Sequence, residues 1–287
     1  MTNVKKTFRL IKSLLSKPKR QNRSPETENH HLNADSCTIQ QLDSGEYAYL
    51  RPSFSDCARA NEYKEAIYIP ECDLTSILSQ YAPTLAVDIG ANIGLSSLSM
   101  SKFFPSIKKV IAIEAEKENY LVLCKNFNLW SNCQEVIFEA IYGIASTSET
   151  LEAYQAKKLP GGLSASGTFM FEKKSLGNNS TPEVEINFGP PINISEAISK
   201  ISSNERIIMK VDIEGGEEEL FEGDASWMQR IAFITVEVHD RFGKLESSKN
   251  LIANLVKYDF AIYPCEDILH CYNRCLLFPG QTMISTR

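Results

Sequence analysis

Residues 85–98 read LAVDIGANIGLSSL, and this stretch decides the fold. The apolar run at 85–89 predicts a buried strand, and a helix is predicted to follow over 94–104. Between them, glycines at 90 and 94 let the chain reverse tightly and bring its backbone close to a ligand. A strand, a glycine turn and a helix in this order indicate the start of a parallel α/β sheet.

The same alternation of apolar runs and amphipathic segments continues towards the end of the sequence. Residues 157–182 interrupt it with a long loop that has room for a hairpin. We therefore expect an α/β fold with a mostly parallel seven-stranded sheet and helices on both faces. The further predicted strands are 110–115, 135–141, 206–214, 231–239, 260–264 and 274–278, and the further helices are 117–129, 217–223 and 246–257.

Residues 37–84 are predicted to form a lead-in subdomain in front of a main domain at 85–287. Aromatic and β-branched residues in this segment favour short strands. Its predicted elements are strands at EYAYL (46–50) and AIYIP (66–70) and a helix over 74–81 that Asp73 caps.

Residues 1–36 are predicted to form a basic amphipathic tail, helical over 3–16, followed by a polar linker. The first 25 residues hold eight basic residues and no acid, so the remainder has 22 basic and 36 acidic residues and a net charge of −14. The whole chain has a net charge of −6, which argues against a nucleic-acid partner. The basic residues 1–25 either contact an anionic membrane surface or are solvated.

Membrane and redox signals favour a cytoplasmic protein. No apolar run approaches the ~18 residues of a membrane-spanning helix. The basic start lacks the apolar core of a signal peptide, because Lys12 and Lys17 interrupt it. None of the eight cysteines forms a CxxC pair, so we expect reduced thiols that do not bind metal.

The glycine turn predicts a cofactor site with an unusual charge. Asn92 replaces the second glycine of the dinucleotide-binding pattern, and Asp88 would repel a pyrophosphate. A cationic ligand without phosphate, such as S-adenosylmethionine, suits Asp88, Gly90, Asn92 and Gly94 better. Glu114 ends the next strand, where an acid accepts the ribose hydroxyls of an adenosine. The alternative is a structural turn in which Asp88 only holds backbone amides.

Five ionisable residues end two later strands. Lys210, Asp212 and Glu214 share one side of their strand, and Glu237 and His239 share a side of the next. Such groups are costly to bury unless they are paired or used. We interpret them as catalytic, with His239 or Asp212 as the base that takes the proton of an acceptor hydroxyl. No metal is expected in the main interpretation; a metal bridging Asp212, Glu237 and His239 is the lesser alternative.

The motifs VDIGANIG (87–94), IEAE (113–116), KVDIEGGEEELFEG (210–223) and VEVH (236–239) together resemble the FkbM family of S-adenosylmethionine-dependent methyltransferases. The resemblance covers residues 85–240. It implies a Rossmann-like class I methyltransferase fold and O-methylation, typically of a sugar hydroxyl in a glycan, glycolipid or secondary metabolite, or of a macrolide. It also implies that Asp88 to Gly94 and Glu114 hold the cofactor and that the later polar motifs form the active site. Ser164, in a small-residue segment at 161–168, is loosely matched.

Other functions remain open at this point. An N-methyltransferase is disfavoured by the pI of 5.4 and by KVDIEGG in place of an (N/D)PPY motif. A nicotinamide oxidoreductase is disfavoured by Asp88 and Asn92. A cofactor-binding scaffold without activity is disfavoured by the intact polar motifs at 210–239. The expected partner is a small-molecule or glycan acceptor.

Overall fold

The structure is a computed structural model. It describes residues 34–52, 56, 60, 63, 67–70, 73–147, 154–158, 169–173, 188–222, 224–239 and 246–280. The predicted tail helix over 3–16 and Ser164 lie outside the described residues.

Strands and helices alternate along the described chain. The strands are β1 (Thr38–Gln41), β2 (Tyr47–Leu50), β3 (Leu85–Ile89), β4 (Lys109–Glu114), β5 (Ile137–Tyr142), β6 (Ile144–Ser146), β7 (Tyr154–Lys158), β8 (Phe169–Lys173), β9 (Pro191–Asn193), β10 (Ile207–Val211), β11 (Ile231–Glu237), β12 (Phe260–Cys265) and β13 (Ile268–Asn273). The helices are α1 (Asp73–Tyr81), α2 (Leu95–Phe103), α3 (Lys117–Ser131), α4 (Ile194–Ser199), α5 (Glu217–Leu220), α6 (Glu246–Lys257) and α7 (Arg274–Leu277). Short 3-10 turns cover Ala34–Ser36 and Ser226–Arg230.

The central sheet has seven strands in the order β12-β13-β11-β10-β3-β4-β5. The neighbours from β11 through β5 are parallel, whereas β13 is antiparallel to both of its neighbours. The chain leaves β3 towards β4 and β5 and then returns to β10 on the other side of β3. This reversal makes the carboxyl ends of β3 and β10 the switch point at which α/β sheets bind ligands.

Two hydrophobic clusters cover the two faces of this sheet. On one face, Ala86 of β3 packs with residues of α2 and α3. On the other face, Val87 packs with residues of α4, α5 and α6. Successive residues of a strand point to opposite faces, so a doubly covered strand is apolar throughout. The predicted α/β fold, a mostly parallel seven-stranded sheet with helices on both faces, is confirmed.

The lead-in segment shares the first of these clusters. Leu50 of β2 and Leu78 of α1 are buried with residues of α2 and α3. The indole of Trp130 donates a hydrogen bond to the backbone oxygen of Tyr47 at 2.8 Å. The boundary predicted at residue 84 stays a prediction, and residues on both sides of it form one core.

Two strand predictions are wrong. Residues 274–277 form α7 instead, because the side chain of Asn273 accepts a hydrogen bond from the backbone of Leu276 and caps a helix. The strand precedes them as β13, after a tight turn in which Glu266 has a φ of 55°. Residues 67–70 form a turn, not the predicted strand, and Tyr68 is buried there.

The hairpin pairing anticipated in the loop at 157–182 is present, but its first strand, β7, begins before that loop at Tyr154. Strands β7 and β8 are antiparallel, with Tyr154 opposite Lys173. No helix among the described residues has both the length and the apolar character needed to cross a bilayer.

Candidate active site

The loop at residues 90–94 lies against the end of β10. Gly90 has a φ of 75°, and a Cβ at this position would stand 1.6 Å from the backbone oxygen of Asp212. Gly94 has a φ of 92°, and its Cβ would stand 2.6 Å from Cδ1 of Leu123 in α3. Both positions therefore require glycine, because a side chain would push the loop off β10 or α3.

Glu114 anchors the loop from the end of β4. Its Oε2 accepts a hydrogen bond from the backbone N–H of Asn92 at 2.8 Å, and its Oε1 accepts one from Glu116 at 2.8 Å. Burial raises the pKa of Glu114, and the two backbone hydrogen bonds only partly offset this. Glu114 thus lies beside the glycine loop, and its predicted contact with the ribose stays a prediction.

Asp88 lies inside the protein and contacts α2. Its Oδ2 accepts hydrogen bonds from the hydroxyls of Ser96 and Ser97, each at 2.6 Å, and the residue has no exposed surface. Its Oδ1 lies 3.5 Å from Nζ of Lys210. These contacts join β3 to the start of α2. The predicted contact of Asp88 with the cofactor stays a prediction.

Lys210 connects the glycine loop to β10. Its Nζ donates a hydrogen bond to the backbone oxygen of Gly90 at 2.7 Å and lies 3.5 Å from Oδ2 of Asp212. It also lies 5.0 Å from the ring centroid of Tyr68. The buried ammonium therefore fixes the ends of β3 and β10 relative to each other.

His239 lies at the centre of the carboxylate cluster at the ends of β10 and β11. Its Nε2 is 3.3 Å from Oε2 of Glu214, 3.6 Å from Oε1 of Glu237 and 4.0 Å from Oδ1 of Asp212. Its Nδ1 is 2.9 Å from Oε1 of Glu217. The structure thus brings the predicted catalytic residues of both strands together.

The carboxylates around His239 control its charge. Burial alone would lower the pKa of His239, but hydrogen bonds to Glu217 and Glu237 and the charges of Glu217 and Asp212 outweigh it and raise the pKa to about 11. Glu217 was not among the site residues predicted from the sequence. It is fully buried, and its position as the first residue of α5 carried no signal of this contact.

Tyr68 is a site residue that the sequence did not identify. Its hydroxyl lies 2.9 Å from Oδ2 of Asp212 and 3.0 Å from Oε2 of Glu237. It comes from the turn at 67–70, which looked like an ordinary strand in the sequence. Only the folded chain brings this turn over the sheet end, 144 residues away from Asp212 along the sequence.

An open cavity lies between the lead-in segment and the glycine loop, and its empty space, counted together with open solvent, is about 390 Å³. Asp212 and Lys210 line one part of it, and Tyr63, Ile67 and Tyr68 line another. Residues 90–93 and the first turn of α2 complete the wall. Oδ1 of Asn92, in this wall, is buried without a hydrogen-bond partner among the described residues. An acceptor oxygen beside tightly packed backbone fits the ammonium of S-adenosylmethionine.

Comparison with known proteins decides the family. The family described as "Methyltransferase FkbM domain" matches residues 88–262, which is more than half of the chain. The chain belongs to the FkbM methyltransferase family. This FkbM protein is therefore an S-adenosylmethionine-dependent methyltransferase with a Rossmann-like class I fold. The match contains the glycine loop, Glu114, Lys210 and the whole carboxylate cluster.

Individual relatives of this FkbM protein are distant. Methyltransferase sdnD of Sordaria araneosa is 27% identical over 204 residues, which cover 63% of this chain and 75% of the relative. A crystal structure of methyltransferase FkbM from Methylobacillus flagellatus KT is 14% identical, with a TM-score of 0.44, and the match covers 78% of this chain and 56% of that one. M. jannaschii TYW2 in complex with AdoMet is 13% identical, with a TM-score of 0.35, and the match covers 82% and 83%.

Proposed function

We propose that this FkbM methyltransferase transfers a methyl group from S-adenosylmethionine to a hydroxyl oxygen of an acceptor bound in the cavity. The acceptor class that we propose is a sugar, in a glycan, a glycolipid or a secondary metabolite. The observation that carries the proposal is Asp212, a buried carboxylate that lines the cavity beside the glycine loop.

The protein's own groups divide into those that bind and those that move a proton. S-adenosylmethionine, when bound, supplies a methyl group that its positively charged sulfur releases readily. The loop at 90–94 and Glu114 bind its amino-acid and ribose parts in this proposal. Asp212 accepts the proton as the O–H bond breaks and the new C–O bond forms. Holding the reacting atoms in line supplies much of the rate, and a positioned base adds about 10²- to 10⁴-fold.

Geometry favours Asp212 over His239 as the base. Asp212 lines the cavity, and His239 lies behind it, 4.0 Å from Oδ1. Tyr68 and Lys210 both contact Oδ2, the oxygen on the other side of the carboxyl group. The proposed roles are therefore proton acceptor for Asp212 and positioning for Lys210, Tyr68 and His239.

A sugar suits the cavity because its walls differ in character. The rings of Tyr63 and Tyr68 offer flat apolar surfaces, and Asp212 offers a hydrogen-bond acceptor. A sugar presents apolar C–H faces and several hydroxyl donors to such a site. The resemblance to the FkbM family supports the same acceptor class.

Labelled methyl transfer tests this proposal. The purified protein is incubated with methyl-labelled S-adenosylmethionine and a panel of sugars, phenols and amines, and each product is mapped by mass spectrometry. We expect a label on a sugar hydroxyl, and we expect Asp212→Asn to reduce kcat at least 100-fold. Affinity for S-adenosylhomocysteine should change little, since the glycine loop and Glu114 remain.

The matched control is Glu222→Gln, an exposed acid just beyond α5. It should keep the wild-type rate. Label found only on nitrogen, or an undiminished rate in Asp212→Asn, would contradict the proposal.

We also propose that the protein acts in the cytoplasm and contacts membranes peripherally through residues 1–25. The support is their eight basic residues, next to a remainder with a net charge of −14. Co-sedimentation with vesicles containing anionic lipid should disappear when residues 1–25 are deleted, while methylation of a soluble acceptor persists. Equal sedimentation of both forms would refute the contact.

A further inference from the structure

Three side chains of the carboxylate cluster converge on one point. The facing ligand-type atoms of Asp212, Glu214 and His239 all lie within 4.8 Å of one another. Nε2 of His239 is 3.3 Å from Oε2 of Glu214 and 4.0 Å from Oδ1 of Asp212. An ion about 2.0–2.2 Å from each ligand would separate neighbouring ligand atoms by roughly 3 Å and opposite ones by roughly 4 Å. Small side-chain movements therefore suffice to close this arrangement around an ion.

A further carboxylate orients the imidazole towards that point. Oε1 of Glu217 accepts the Nδ1–H of His239 at 2.9 Å and also lies 3.4 Å from the backbone nitrogens of Ile213 and Gly215. Glu217 is fully buried, so this orientation is fixed inside the protein. A histidine that binds a metal usually donates its other N–H to such a carboxylate, which fixes the tautomer and leaves the ligand nitrogen facing the ion.

We propose that Asp212, Glu214 and His239 form a binding site for a divalent metal cation. The ligand atoms are Oδ1, Oε2 and Nε2, and the cation displaces the proton on Nε2 to water. Glu237, whose Oε1 lies 3.6 Å from Nε2, is placed to bind directly or through a water molecule. An oxygen-rich site with one imidazole and no thiolate suits Mn²⁺ better than Mg²⁺, which takes oxygen ligands. This set of ligands differs from the alternative metal site inferred from the sequence, because Glu214 rather than Glu237 completes the compact triad.

This cation site goes beyond the proposed methyl transfer and does not replace it. Asp212 faces the ion with Oδ1, while its Oδ2 keeps its contacts with Tyr68 and Lys210 beside the cavity. The ion would therefore hold the Asp212 carboxyl group in position from the side of His239, which does not line the cavity.

Manganese binding to the full-length protein tests the site without an activity assay. The protein is stripped with a chelator, dialysed and titrated with Mn²⁺, and free Mn²⁺ is followed by electron paramagnetic resonance. We expect one strongly bound Mn²⁺ per chain. Pulsed measurements should show a coupling to one imidazole nitrogen, which loosely attracted ions do not give.

Four variants assign the ligands. Glu214→Gln and His239→Gln should weaken Mn²⁺ binding at least tenfold, and His239→Gln should also abolish the nitrogen coupling. Glu217→Gln should weaken binding by about 10- to 100-fold through the orientation of His239. The control Glu222→Gln should bind as the wild type does. Glu214 is partly exposed, so its variant is the one least prone to misfold.

The proposal is overturned if the wild type binds no Mn²⁺ at millimolar concentration. It is also overturned if bound Mn²⁺ shows no nitrogen coupling, or if folded Glu214→Gln and His239→Gln keep wild-type affinity. Failure of methyl transfer to a sugar would be seen in the labelling assay alone, so the two proposals fail separately.

Discussion

Glu114 combines two roles in one buried carboxyl group, since it holds the glycine loop and is the proposed ribose acceptor. Burial raises the pKa of Glu114, so the carboxylate is protonated at a higher pH than an exposed glutamate. Affinity for S-adenosylhomocysteine should therefore fall as the pH decreases through this raised pKa, because the protonated form is a poorer acceptor. Calorimetric titration across mildly acidic pH measures the fall.

The Glu114→Gln variant should bind S-adenosylhomocysteine more weakly, and its affinity should no longer fall as the pH decreases. The contribution of Glu114 to folding stability depends on pH in the opposite direction. Burial favours the protonated form of Glu114, so the part of the free energy of unfolding that this group contributes is lost as the pH rises through the raised pKa. The control is Glu139→Gln on the neighbouring strand, an exposed acid paired with Lys109, which should keep the wild-type profile. A pH step that persists in Glu114→Gln would assign it to another group.

Tyr68→Phe tests the residue that the lead-in segment contributes to the site. The change removes a hydroxyl beside two carboxylates, where a hydrogen bond contributes about 1.5–3 kcal/mol, so we expect kcat to fall roughly 10- to 100-fold. Affinity for S-adenosylhomocysteine should stay unchanged. Tyr63→Phe is a matched control in the same cavity, because its hydroxyl contacts Ser44 and Glu46 instead. Equal rates in both variants would remove Tyr68 from the mechanism.

At the scale of elements, the contact between the glycine loop and β10 depends on the lack of a side chain at Gly90. Gly90→Ala should lower the free energy of unfolding by about 3 kcal/mol or more, from overpacking and a left-handed backbone. Gly45→Ala is the control, since Gly45 has a φ of 94° but nothing within 4 Å of its Cβ, and it should cost only about 1–2 kcal/mol. Denaturant unfolding compares the two; equal costs would show that the contact with β10 contributes nothing.

The sequence predicted those elements whose residues carry a local pattern. Strands β3 and β4 are continuous apolar runs, and α2 follows a glycine turn, so their positions are confirmed within a few residues. Strand β13 was missed because Glu266 and Asp267, at its turn, lack the Gly or Asn that usually marks a tight hairpin.

The polar site was predictable only in part, because only some of its residues follow a pattern that the sequence shows. Residues that end parallel strands meet at one sheet edge. This rule correctly predicts that Asp212, Glu214, Glu237 and His239 lie close together. Tyr68 and Glu217 follow no such rule, since their positions depend on how the lead-in turn and α5 pack.

At the scale of the whole molecule, Asn126 joins the lead-in segment to the cofactor loop. Its Nδ2 donates to the backbone oxygens of Ile93 and Tyr49, and its Oδ1 accepts from the backbone nitrogen of Tyr49. Asn126→Ala leaves these buried groups without their partners, so we expect a loss of about 3 kcal/mol in the free energy of unfolding. Asn128→Ala, on the exposed side of the same helix, should change it by less than about 0.5 kcal/mol. Similar losses in both would contradict a specific bridge.

The family match begins at residue 88, whereas Tyr63, Ile67 and Tyr68 of the cavity wall precede it. The part of the wall that meets the proposed acceptor is therefore built from chain that the shared family pattern does not include. Changes around Tyr63 and Ile67 would alter this wall while the glycine loop and the carboxylate cluster stay the same. Exchange of the lead-in segment between family members is therefore expected to shift the acceptor preference of the enzyme.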